Sequence, residues 1–243
     1  MDANPVFAEA VRGNWVENRH RGAFVVIDAN GQIIASAGDI ERPVFPRSAI
    51  KSMQALAIFD RHAVERFHHS SEELALACAS HHGEEVHTSR VGGFLQRTGL
   101  SEATLECGAH QPTNGAAREA LRERHEEPSA LHNNCSGKHA GMLSVALAMG
   151  VPTEGYVSRE HDVQRAVRAA VELVIGEELT EDRCGTDGCS IPTWAAPIRA
   201  WAHGFARMAT GNGLDAGHAA GAQALFDAAT THPLLVAGTG HLD

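Results

Sequence analysis

The sequence predicts an α+β fold, helix-rich, with an N-terminal β-hairpin that belongs to an antiparallel sheet. Two observations carry this. Residues 23–28 and 32–36 are short β-branched runs separated by Asn30-Gly31, a pair that tolerates positive φ and favours a tight hairpin turn. From Ile50 onward the apolar residues instead recur three and four apart, the spacing of a helix face.

Taken in order, Pro43 and Pro46 separate the hairpin from a first helix, whose buried face is marked by Ile50, Met53, Ala57 and Ile58. Ser70-Ser71-Glu72-Glu73 reads as a helix start leading into the apolar run 74–79, which Ser80-His81-His82-Gly83 ends. Surface helices are expected over 91–97 and 116–124. Residues 137–149 form a strongly apolar helix with Gly150 as its C-terminal cap. Val163, Val167, Ala170, Val171 and Val174 make one stripe of a further helix. Segments 192–208 and 215–230 complete the set, with a glycine-rich loop at 210–213 between them. Two parts result: 1–65, the hairpin and first helix, and 66–243, the mainly helical remainder. A lone hairpin is marginal in water, and residues 44–243 offer few strands to join it.

Composition removes several functions. The formal net charge of -10 comes with no basic run and little aromatic content, which argues against nucleic acid and anionic membrane surfaces. No apolar run approaches membrane-spanning length, and the Met1-Asp2-Ala3-Asn4-Pro5 opening lacks the pattern of a secretory leader. The five cysteines, an odd number in a chain without a visible leader, read as reduced thiols or metal ligands rather than a disulfide framework. The expected location is the cytoplasm.

The chemistry is sought at the lysines. Of 20 basic side chains only two, Lys51 and Lys138, are lysine. Arginine stays charged, whereas a buried lysine readily becomes a neutral amine able to act as base or metal ligand. Each follows a reactive side chain by three positions: Ser48-x-x-Lys51 and Cys135-x-x-Lys138. On a helix, Ser48 and Lys51 share a face. Pro46-Arg47 ahead of them puts the serine at a helix N-terminus, where N–H groups favour developing negative charge. Cys135, Lys138 and Cys189 are a candidate three-ligand metal site. Two thiolates and a nitrogen suit zinc and leave a coordination position open, with His132 and His139 as alternative nitrogen donors. In the loop 185–192, glycines beside Thr186-Asp187 let backbone approach a ligand, and Asp187 either orients a lysine or closes its own turn. Ser80, at a helix end, is equally a catalytic hydroxyl and a plain cap. Cys107 and Cys184 have no partner pattern.

Together, Arg47-Ser48-x-x-Lys51, Cys78-Ala79-Ser80-His81, Asn133-x-Cys135-Ser136-Gly137-Lys138-His139 and Gly185-Thr186-Asp187-Gly188-Cys189 resemble the zinc-containing L-asparaginase II family of rhizobial type, related in fold to serine β-lactamases and glutaminases. The resemblance implies hydrolysis of L-asparagine to aspartate and ammonia by a homodimer. Carried over by residue, it implies Ser48 and Lys51 as one Ser–Lys tandem, Ser80 as the serine of a second, and Asp187 as an active-site carboxylate. Cys135, Lys138 and Cys189 would be the zinc ligands, and Arg47, Asn133, Asn134 and His139 would face the substrate. The family continues past the position of Asp243, into the remaining strands and the lysine that partners Ser80. The 243-residue chain is therefore expected to be incomplete as a catalyst, and its hairpin to associate through open edges.

Two other readings stay in play. One is another Ser-x-x-Lys acyl hydrolase, a glutaminase or β-lactamase-like enzyme, against which the Cys/Lys/Cys set argues because that chemistry needs no zinc. The other is a truncated zinc-binding homologue without turnover.

Overall fold

The computed structural model describes residues 4–241; Met1 to Ala3, read above for a leader, and the last two positions, Leu242 and Asp243, lie outside them. Two hairpins open the chain. β1 (Val6–Arg12) pairs with β2 (Trp15–Arg21), and β3 (Phe24–Ile27) with β4 (Ile33–Ala37), both antiparallel. The second is the hairpin expected from Asn30-Gly31. Its turn is held by the Asp28 carboxylate, which accepts from the N–H groups of Asn30 (2.9 Å) and Gln32 (2.8 Å).

The first hairpin corrects the sequence reading. Every residue of β1 and β2 is exposed, so no buried face imposes the alternation that marks a strand. The hairpins meet where the Phe7 and Phe24 rings lie 5.8 Å apart and Gly22 N–H donates to Pro5 O. The 23–36 hairpin thus has strand company, although the two pairs remain separate sheets.

The expected first helix is broken into pieces. β5 (Pro43–Val44) leads through a 3-10 turn (Arg47–Ile50) into α1 (Lys51–Ala55), followed by α2 (Ala57–Asp60) and α3 (Ala63–Phe67). His62 and His68 stand at left-handed φ on either side of α3, which closes off each short piece. α4 (Ser71–Cys78) begins as read: the Ser70 hydroxyl accepts from Glu73 N–H, and the Glu73 carboxylate accepts from Ser70 N–H. α5 (Glu85–Arg97) and α6 (Gly115–Glu123) lie on the surface side.

α7 (Ser136–Met149) is the centre of the molecule. It is buried without interruption from Ser136 to Ala146, as a helix apolar on all sides must be, and Gly150 caps it at φ 70°. α8 (Asp162–Ile175) turns its valine stripe into the same core. Next come a small hairpin, β6 (Cys184–Thr186) with β7 (Pro192–Trp194), and β8 (Ala196–Pro197). The helix expected from residue 192 begins only at 198, because Pro192 and Pro197 sit in extended segments. α9 (Ile198–Thr210), α10 (Ala216–Thr231) and the single turn α11 (Pro233–Val236) follow.

Two contacts position the site. β8 pairs with β5, and the Trp201 indole N–H reaches the carbonyls of Val44 and Ala196, so the segment before Ser48 is tied to the segment after Cys189. α7 crosses α4 at Gly137, where a Cβ would collide with the Leu76 carbonyl. Only glycine lets those two backbones approach so closely. Among the described residues no helix is long and apolar enough to cross a membrane.

Candidate active site

Four chain segments converge. The 3-10 turn carries Ser48 and delivers Lys51 at the start of α1; the end of α4 supplies Ala79 and Ser80; the start of α7 supplies Cys135 and Lys138; and the β6–β7 turn supplies Asp187 and Cys189. A cleft of ≈ 600 Å³ is lined by Ser48, Lys51 and Ser80 on one side and by Pro233 and Val236 on the other.

Lys51 is 1% exposed, and its ammonium donates to the Ala79 carbonyl and, at 2.9 Å, to the Ser80 hydroxyl. Burial pushes its pKa down; the nearby Cys135 sulfur works in the opposite direction. This corrects two expectations. Lys51 makes no hydrogen bond to Ser48 among the described residues, and Ser80 is not left without a lysine. Ser48 lies exposed in the same cleft, one turn before Lys51, on a 3-10 segment that gives the pair a different stagger from an α-helix.

The sulfur and amine groups lie deeper. Cys135, Lys138 and Cys189 are all buried. Lys138 Nζ approaches Cys189 Sγ to 3.2 Å, and the Cys189 thiol is hydrogen-bonded to Cys135. That hydrogen bond, opposed by burial and reinforced by the two lysines, pushes the Cys135 thiol pKa down. Among the described residues no three His, Cys, Asp or Glu side chains form a metal-binding group. Two sulfurs and an amine nitrogen in a dry pocket fit zinc.

Asp187 closes the β6–β7 turn, its backbone N–H donating to Ile191 O and its carboxylate accepting from Gly188 N–H. The same carboxylate oxygen takes Arg47 Nε at 3.1 Å and a terminal guanidinium nitrogen at 2.9 Å. Arg47 reaches it from a left-handed backbone, φ 49°, unusual for a long side chain. The pair joins the Ser48 turn to the Cys189 turn.

Of the residues expected to face the substrate, Asn133 is placed to shape the loop. Its amide donates to the carbonyls of Cys107 and Gly108, and its side-chain oxygen accepts from Cys135 N–H. His139 is wholly buried with Nδ1 2.6 Å from Tyr156 Oη, pointing into the core beneath α7. Asn134 is half-buried beside Cys135. His132, weighed as a nitrogen donor, sits in a 3-10 turn where its Nδ1 accepts from Ser129 N–H. Sequence reasoning missed the wall formed by Pro233 and Val236, since neither side chain carries chemistry to flag it.

The model of the family described as L-asparaginase II matches residues 8–243. The chain belongs to the L-asparaginase II family. A comparison with curated proteins finds no match. Membership makes the chain an asparaginase-type hydrolase, a class that acts on a small molecule, and the serines, lysines and thiols described above are the groups this member brings to one place.

Proposed function

We propose that the chain hydrolyses the side-chain amide of L-asparagine to aspartate and ammonia by Ser–Lys chemistry, with zinc held beside the serines by Cys135, Lys138 and Cys189. The observation that carries this is Lys51: a buried amine in contact with one serine and one turn from another, in a cleft open to solvent. A neutral amine has two N–H groups and one lone pair. Ala79 O and Ser80 Oγ hold the amine in the cleft that Ser48 also lines, and its neutral form would take the proton of Ser48 once that side chain turns toward it. Ser48 Oγ then attacks the amide carbon, and Ser80 passes the proton from Lys51 to the leaving nitrogen, which departs as ammonia. Water reverses the sequence and frees aspartate.

Asp187 and Arg47 present one carboxylate and one guanidinium side by side, the complement of an amino acid's ammonium and carboxylate. Bound zinc would supply Lewis acidity and a fixed positive charge near the substrate. Lys138 has to be neutral to ligate it, since an ammonium has no lone pair to offer. A second copy of the chain is the expected partner, supported by the exposed Phe7, Val11 and Trp15 on the first hairpin. Ammonia release from L-asparagine, L-glutamine and a β-lactam tests the assignment. Turnover of the β-lactam in preference to both amides would favour the acyl-hydrolase alternative.

A further inference from the structure

The cleft wall opposite the serines is a short segment at 233–239, held by polar contacts that lie outside the cleft. Pro233 and Val236 face the site from α11, while Leu235 and Ala237 are buried beneath. Three of the contacts come from the loop and helix just after Ser80. Thr239 donates to both oxygens of the Glu84 carboxylate, from its N–H at 2.8 Å and its hydroxyl at 2.7 Å. His87 Nε2 donates to the Leu234 carbonyl at 2.9 Å, with its Nδ1 accepting from Glu84 N–H. At the other end His232 Nε2 meets the Ser71 hydroxyl at 3.1 Å. Gly238, at φ 117°, completes the fit: a Cβ there would come within 2.5 Å of Glu84 Oε1. One turn of helix has little stability of its own, so its place depends on these contacts.

We propose that Glu84 is a positioning residue for the substrate cleft: by gripping Thr239 it holds Pro233 and Val236 against the space in front of Ser48, Lys51 and Ser80. The wall then confines the aliphatic part of the amide substrate while the serines act on its carbonyl. This rests on the cleft being the hydrolytic site proposed above. Its reach differs, since Glu84 touches neither substrate nor reacting atoms. Loosening the wall should weaken substrate binding and selectivity for amide length more than it slows the chemistry.

The test uses the full chain with Glu84→Ala, Glu84→Gln and Gly238→Ala, read by hydrogen exchange over 233–240 and by steady-state kinetics on asparagine and glutamine. Glu84→Ala and Gly238→Ala should each speed exchange of the segment by about tenfold or more. They should also raise KM by about fivefold or more with kcat changed less than about threefold, and narrow the preference between the two amides. Glu84→Gln keeps an acceptor for the Thr239 N–H and gains a donor for its hydroxyl, so it should restore near-parental values. Unchanged exchange in Glu84→Ala overturns the proposal, as does faster exchange with unchanged KM, or a fall in kcat alone. If the parent turns over neither amide, the exchange result still judges the grip of Glu84 on the segment, and only the reading of the cleft fails.

Discussion

Lys51 illustrates how much a single buried side chain decides. Removing an ammonium from water favours its neutral form, and the Ala79 carbonyl and Ser80 hydroxyl fix its direction. Ser48→Ala is expected to lower kcat on the order of 10³-fold with little change in KM, because it removes a group acting in the transition state. Lys51→Arg should lower kcat at least about 10²-fold, since a guanidinium keeps the charge but cannot act as a base. An active Lys51→Arg variant would move the base elsewhere.

A second residue-scale effect concerns acid stability. His69 Nε2–H donates to Ser144, whose hydroxyl donates onward to Gly141 O, and its Nδ1 faces the Arg97 guanidinium at 3.4 Å. Burial, partly offset by Glu73 and reinforced by Arg97, pushes its pKa down from 6.5 to about 4. Between those values the unfolded chain binds the proton and the folded one does not. Stability therefore rises with pH across that window and falls on acidification below about pH 6.5, by on the order of 1–3 kcal/mol. Urea midpoints at pH 7 and pH 5 should show this drop, and His69→Gln should shrink it.

At the scale of elements, the packing of α7 on α4 places the thiol and amine groups. Gly137→Ala should force the two backbones apart, destabilise the fold by about 1–3 kcal/mol and weaken metal retention, because Cys135 and Lys138 flank the contact. Melting temperature and zinc per chain would report both; an unshifted melt would mean that α7 adjusts freely. The helices were largely legible. Ser70 with Glu73, Gly150 and the valine stripe of α8 each impose one local geometry that periodicity or capping chemistry reveals. The exposed first hairpin and the β5–β8 pair were not: the former buries no face, and the latter joins strands more than 150 residues apart with two residues each. The same limit applied at the site. The residue types at Ser48, Lys51, Cys135, Lys138 and Cys189 pointed to chemistry, but the direction in which Lys51 reaches is set by tertiary packing of α1 against α4.

For the whole molecule, α7 is buried among the other helices, while the two N-terminal hairpins carry most of the exposed large apolar side chains, Trp15 the most exposed at 82%. If a second copy covers this face, Trp15→Glu should shift the protein toward monomer in light scattering without altering its fold. The central claim is that buried lysine, serines and a thiol–amine metal site together hydrolyse asparagine. Ammonia release from L-asparagine by zinc-supplied protein, before and after chelation, tests it most directly. Steady turnover that chelation abolishes and added zinc restores is the predicted result; no ammonia from fully zinc-supplied protein would contradict it.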